Sequence, residues 1–168
     1  GSYGVAGNFN HTQFEKGSRL CECGKIGCLG TEIGGNALLE DLKFAIMNDH
    51  NSIYFEESEL SNYKYHDILE AVLKGDELSL KLIQDQGYKL GKALGNIINL
   101  LDPELVVIGG EYVMVKDFFL DAVKMGIRKT GLISTVNHCN VHSSTLSRYL
   151  GAKAGACMLL KACGMIDF

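Results

Sequence analysis

Apolar residues in this chain recur with two different periods, and the change of period marks its elements. The first thirty residues carry neither period clearly, being rich in Gly, Asn and Ser, and only "HTQF" (residues 11–14) alternates as a short strand would. From Thr31 a helical spacing sets in through Ala37, Leu38, Leu42, Ala45 and Ile46, with Thr31 placed to cap it. Residues 49–65 are polar with interspersed aromatics and predict a loop with one helical turn. Residues 67–73 predict a short helix that stops at Gly75. The longest periodic segment is 76–101, where Leu80, Ile83, Leu90, Leu94, Ile97, Ile98 and Leu101 follow one broad helical face. Gly87, Gly91 and Gly95 fall four apart on one side of that helix. Each costs a helix about 1 kcal/mol relative to alanine, so three in register predict an unusually close neighbour.

The single proline, Pro103, ends this helix. "ELVVIGG" (104–110) follows, a continuous β-branched run closed by two glycines, as in a strand covered on both faces. Residues 113–128 return to helix, "NVHSS" (140–144) suits a second strand, and "AKAGACMLLKAC" (152–163) a small-residue helix. Helix, strand, helix, strand, helix is an α/β order.

Composition narrows the function. A chain of 168 residues with 46% hydrophobic and 21% charged residues can bury one substantial core. A net charge of −4 gives no broad basic field, so this segment is not expected to grip nucleic acid itself. No apolar run is long enough for a membrane span, and no signal peptide opens the chain. Cys139, Cys157 and Cys163 are scattered, the last two in an apolar stretch where a reduced thiol acts as a small hydrophobe. That usage points to a reducing cytoplasm rather than a secreted disulfide scaffold.

The other three cysteines are clustered. His11, Cys21, Cys23 and Cys28 place one nitrogen and three sulfurs within eighteen residues, a donor set for tetrahedral Zn²⁺. Gly17, Gly24 and Gly27 lie between them, where the backbone must turn sharply, and Arg19 and Lys25 are placed to offset thiolate charge. The spacing C-x-C, C-x₄-C is not the C-x-x-C of a redox pair, and sulfur excludes Mg²⁺ and Ca²⁺. Four protein ligands leave no open position, so the expected role is structural. His50, His66, His138 and His142 have no partners at ligand spacing and are expected at the surface or in packing.

"GVAGNFNH" followed by "CECGKIGCLG" resembles the signature of the ROK family (repressors, open reading frames and sugar kinases), G-x-x-G-E-x-G-H then C-x-C-G-x-x-G-C-x-E. The resemblance continues in "LGNIINLLDPELVVIGG" and "SSTLSRYLGAKAGACMLL". It implies a ribonuclease H-like, actin-type α/β lobe with helices on a mixed sheet and a zinc loop over 11–28, the whole of 1–168 being the carboxyl-terminal lobe. It also implies His11, Cys21, Cys23 and Cys28 as the zinc ligands. In sugar-binding members two glutamates of the pattern bond the sugar; here those positions are Asn8 and Gly30, and the third glycine of the first motif is Asn10. Of the implied sugar contacts Asn8, His11 and Gly30, only His11 keeps its family identity.

Family kinases also carry D-x-G-x-T and a catalytic aspartate upstream of the signature. Neither occurs here, and Asp85-Gln86-Gly87 sits inside a helix, so no catalytic residue is assigned. Gly109 and Gly110 fall where family kinases bring the nucleotide to the backbone, or simply serve a strand-to-helix turn. The expectation is the effector and dimerisation lobe of a sugar-responsive transcriptional regulator. Its upstream lobe and DNA-binding winged helix would lie outside this segment. The alternative is the matching lobe of an ATP-dependent sugar kinase. A homodimer is expected, through the glycine-striped helix or the terminal helix.

Overall fold

A computed structural model describes residues 2–14, 18–48, 50–145 and 150–166. Gly17 and Asp49, and residues 146–149 of the last resemblance segment, lie outside the described residues. Elements run in the order α1 (Leu29–Glu32), α2 (Gly35–Met47), α3 (Tyr65–Leu73), α4 (Glu77–Leu101), β1 (Leu105–Ile108), α5 (Lys116–Thr130), α6 (Ile133–Val136), β2 (Asn140–Ser143) and α7 (Leu150–Ala162). The α/β order read from periodicity is therefore the observed one. β1 and β2 pair in parallel, Leu105 opposite Asn140 through Ile108 opposite Ser143.

The centre of the molecule is the parallel packing of α5 on α4. A Cβ on Gly87 would lie 2.8 Å from the Phe119 carbonyl. One on Gly91 would fall on the Val123 carbonyl, and one on Gly95 on the Thr130 hydroxyl. Gly126 returns the contact from α5, its missing Cβ directed at the Tyr88 carbonyl. The close neighbour predicted for the glycine stripe is thus a helix of the same chain, and the stripe is not free to make a dimer. Leu78, Leu82, Ile83 and Ile98 of α4 join Phe119, Val123 and Ile127 of α5 in the core, with Leu38 and Leu42 of α2 and Ile68 and Leu69 of α3. Leu101, on the predicted apolar face of α4, is exposed.

Helix ends follow local chemistry. Asp76 caps α4, its carboxylate accepting from the Ser79 N–H (2.9 Å) and hydroxyl (2.6 Å). It also accepts from the Ser52 hydroxyl and the Ile53 N–H, pinning the preceding loop. Burial opposes its charge, but these four bonds outweigh burial and hold its carboxyl below the ordinary value. The helix closes at Asp102 in a left-handed conformation (φ 44°), one residue before Pro103. α3 starts earlier than predicted, at Tyr65, because Asp67 accepts from the Lys64 N–H (2.7 Å).

Three expectations are corrected. Thr31 does not cap α2: it lies inside α1, where its hydroxyl donates to the Cys28 carbonyl (2.7 Å), and the chain breaks at Gly34 (φ 101°) before α2 begins. β1 is not covered on both faces, since Leu105 and Val107 are 53% and 56% exposed. Cys157 on α7 and Cys163 just beyond its end are exposed rather than packed as hydrophobes. "HTQF" is not the strand expected: His11 closes a short 3-10 turn, Phe9–His11, and Gln13 makes a single antiparallel bridge to Cys28. The 113–128 segment splits into a 3-10 turn, Glu111–Val115, and α5. His66 sits at the surface between Glu70 and Glu111.

Candidate metal centre and adjoining cleft

The loop before α1 is folded back by its own backbone. The Cys21 N–H donates to the Lys25 carbonyl (2.8 Å) and the Gly24 N–H returns to the Cys21 carbonyl (2.9 Å), closing a tight turn. Gly24 (φ 84°) and Gly27 (φ 79°) occupy the left-handed region that this reversal requires. The Leu20–Ile26 bridge and the Gln13–Cys28 bridge then draw the loop against residues 11–14.

The result brings together the four side chains singled out by spacing. One ligand atom from each of His11, Cys21, Cys23 and Cys28 lies within 4.8 Å of the others. His11 Nδ1 is 3.5 Å from Cys21 Sγ, and Cys23 Sγ is 3.6 Å from Cys28 Sγ. A tetrahedron with Zn–S bonds of ~2.3 Å has edges of roughly 3.8 Å, close to both separations, whereas a disulfide needs ~2.0 Å. All three cysteines are free thiols. This His/Cys cluster could hold a metal ion, and its donors fit zinc.

Cys21 and Cys28 are buried, whereas His11 and Cys23 are exposed. Cys23 is drawn down to about 7, first by the Lys25 backbone N–H and then by the neighbouring thiols. Burial, reinforced by the same neighbours, pushes Cys28 up to about 11. Lys25 acts here through its backbone. Arg19 does not face the thiolates: its guanidinium bridges Glu32, Glu40 and Asp41 and donates to the Thr31 carbonyl. It clamps the loop onto α1 and α2, aided by the Glu32 carboxylate accepting from the Ser18 N–H (2.9 Å). Buried Glu32 was not singled out in the sequence, and its only signal there was a carboxylate two residues beyond Gly30.

Beside the cluster lies a cleft of about 630 Å³, lined by residues that include Asn10, Gly30, Tyr65, Gly109, Gly110 and Glu111. Gly30 and the double glycine, far apart in sequence, thus share one cavity, while Asn8 and His11 are not among its lining residues. Gly110 (φ 95°) turns the chain from β1 into the 3-10 turn. Buried Gln86 braces the floor, accepting from the Gly34 N–H (3.0 Å) and the Tyr112 hydroxyl (2.7 Å). Burial raises Tyr112 well above the ordinary phenol range, so it remains a donor. This brace went unread because a single glutamine in α4 looks like any exposed helix residue.

The ROK family model matches residues 1–162. The chain belongs to the ROK family. It is 33% identical to the DNA-binding transcriptional dual regulator NagC of Escherichia coli K12 over 79% of this chain and 32% of that protein. It is 28% identical to a glucokinase of Halalkalibacterium halodurans over 92% of this chain and 48% of that one. The crystal structure of a ROK transcriptional regulator, a homologue of the E. coli Mlc protein, superposes with a TM-score of 0.79 at 26% identity, covering 92% of this chain and 38% of that chain. The mixed helix-and-sheet fold is that of ROK proteins. The chain spans about a third to a half of the length of these curated relatives. No helix among the described residues is long and apolar enough to cross a membrane.

Proposed function

We propose that this chain is the carboxyl-terminal effector and dimerisation lobe of a ROK-family, sugar-responsive transcriptional regulator, stabilised by one Zn²⁺. The observation that carries the reading is the loss of both carboxylates that the family signature uses for sugar. Asn8 and Gly30 stand at those positions. A carboxylate accepts strong bonds from hydroxyls; an amide accepts weaker ones and glycine has no side chain.

His11, Cys21, Cys23 and Cys28 hold the zinc in this reading. The ion neutralises thiolates and fixes the loop, with no open position for substrate. Its loop ends where α1 begins, so the metal sets the wall of the cleft that carries Gly30. Gly109 and Gly110 serve the turn out of β1 rather than a nucleotide. DNA contact belongs to a domain outside these residues, consistent with the net charge of −4. Effector binding shifts the arrangement of a homodimer and thereby its DNA affinity. Exposed Leu100, Leu105, Val107 and Ile133 supply apolar surface for that dimer.

The test is a coupled kinase assay with ATP and a hexose panel, alongside determination of the full-length amino terminus. Background turnover and an upstream winged helix are expected. Phosphoryl transfer, or an upstream D-x-G-x-T followed by a catalytic aspartate, would assign the kinase alternative with ATP as cosubstrate.

A further inference from the structure

The three cysteines of the metal cluster differ in what can reach them. Cys28 is fully buried and Cys21 is 7% exposed, whereas Cys23, in the tight turn between Cys21 and Gly24, opens to solvent. A Cβ on Gly24, the next residue, would meet nothing within 4 Å, so the described chain leaves this side of the turn uncovered. Nor does the nearest arginine shield it, since the Arg19 guanidinium is turned to Glu32, Glu40 and Asp41.

Behind the exposed sulfur lies a buried one, Cys28 Sγ, 3.6 Å from Cys23 Sγ. A disulfide at ~2.0 Å needs a further approach of roughly 1.5 Å. Gly24 (φ 84°) and Gly27 (φ 79°) lie between the two cysteines and give the backbone freedom to make it. Cys21 is a poorer partner for Cys23. Its sulfur is engaged by His11 Nδ1 at 3.5 Å, and a single intervening residue leaves a strained ring. Cys157 and Cys163 are exposed as well, but six residues of helical rise separate them by about 9 Å, beyond disulfide reach. Among the described residues, an accessible thiol and a second in contact with it coincide only in the cluster.

We propose that the Cys23–Cys28 pair is a peroxide-reactive modification site, at which oxidation joins the two sulfurs and releases the metal from the loop. The inference rests on the zinc reading and adds a regulatory chemistry to it. Coordination keeps both sulfurs as thiolates, the nucleophilic form. Cys23 Sγ attacks one peroxide oxygen, the O–O bond breaks and hydroxide leaves, giving a sulfenic acid. Cys28 Sγ then attacks the Cys23 sulfur, the S–O bond breaks and a second hydroxide leaves. Two thiolates give up two electrons, and one peroxide becomes two hydroxides, which take up two protons as water. Two of the four ligands are then gone. The loop that leads into α1 and Gly30 loses its fixed point, while the Arg19 clamp stays. Reduction by a thiol restores both ligands.

The test uses the 168-residue chain purified with its metal. Elemental analysis before treatment checks the zinc reading on its own. Hydrogen peroxide is then added stepwise, with released zinc read by a chromogenic chelator and cysteine pairing by peptide mass spectrometry. Zinc should appear in step with a Cys23–Cys28 disulfide, and dithiothreitol should reverse both. Cys23→His keeps a ligand but has no sulfur to oxidise, so its zinc should leave roughly tenfold more slowly or slower still. Cys157→Ser with Cys163→Ser should release zinc at the native rate. A chain without zinc before treatment would overturn the zinc reading and this site together. Zinc retained once the exposed thiols are consumed, a disulfide through Cys21, or native-rate release from Cys23→His would overturn this site alone. Where Cys23→His binds no zinc, zinc release and disulfide pairing in the native chain decide by themselves.

Discussion

The zinc loop and the α4–α5 pair are both organised by glycine, yet they are held together by opposite means. In the helix pair, Gly87, Gly91, Gly95 and Gly126 remove side chains so that two backbones touch, and buried Phe119, Val123 and Ile127 fill what remains. In the loop, Gly24 and Gly27 supply turns instead, while Leu20 and Ile26 are exposed and bury almost nothing. Packing sustains the first region, with hydrogen bonds from the Thr130 hydroxyl to the Lys92 carbonyl and from the Asn99 amide to the Thr130 carbonyl. The second has four ligand atoms, a clamp at Arg19 and little apolar burial, so on the proposed zinc reading its order depends on coordination. Two uses of one residue type therefore predict two different failures.

Removing the metal should separate them most strongly. Chelation or Cys23→Ser should loosen the loop, because on the proposed zinc reading coordination adds folding free energy beyond that of the Arg19 clamp. Hydrogen exchange should report loss of protection over 18–30 while α4 and α5 stay protected. Equal loss in both regions would break the comparison. Gly91→Leu should do the reverse. Its side chain has to displace the Val123 carbonyl, and overpacking of this kind costs about 3 kcal/mol or more. Thermal unfolding should show the loss with zinc stoichiometry unchanged in whatever folds. Light scattering on the same variant should leave any dimer intact, since the stripe faces its own chain.

Asp76→Ala is a smaller perturbation confined to the packed region. It removes the α4 cap and strands Ser52 and the Ile53 N–H, for a loss of about 1–2 kcal/mol. Asp76 also has a pH signature. Its folded carboxyl lies below its unfolded value, so its contribution is complete above the unfolded value near ~4. That contribution is lost as pH falls through the lower, folded value. Stability measured from pH 6 downward should decline less steeply in Asp76→Asn than in the native chain.

The same contrast explains what could be read from the sequence. α4 was legible because a long period, an Asp at its start and Pro103 at its end all agree. The metal cluster was legible because four ligands sit in one short segment, so their meeting needed no tertiary information. What escaped depends on partners distant in sequence. Gly126 shows nothing until α5 is laid on α4, and Arg19 looks like a counter-charge until Glu32, Glu40 and Asp41 are folded around it. The break at Gly34 was hidden because apolar spacing runs straight through it; buried Gln86 holds it from 52 residues away. β1 was expected to be covered because its residues are all apolar, yet the coverage of a strand is a property of its neighbours.

The central claim is that one region of this ROK-family chain is held by metal and the other by packing. X-ray absorption with elemental analysis, on protein purified without added metal, tests it most directly. The account predicts one zinc per chain with one nitrogen at ~2.0 Å and three sulfurs at ~2.3 Å. A chain that carries no zinc, and whose melting temperature is unmoved by chelation, would contradict it.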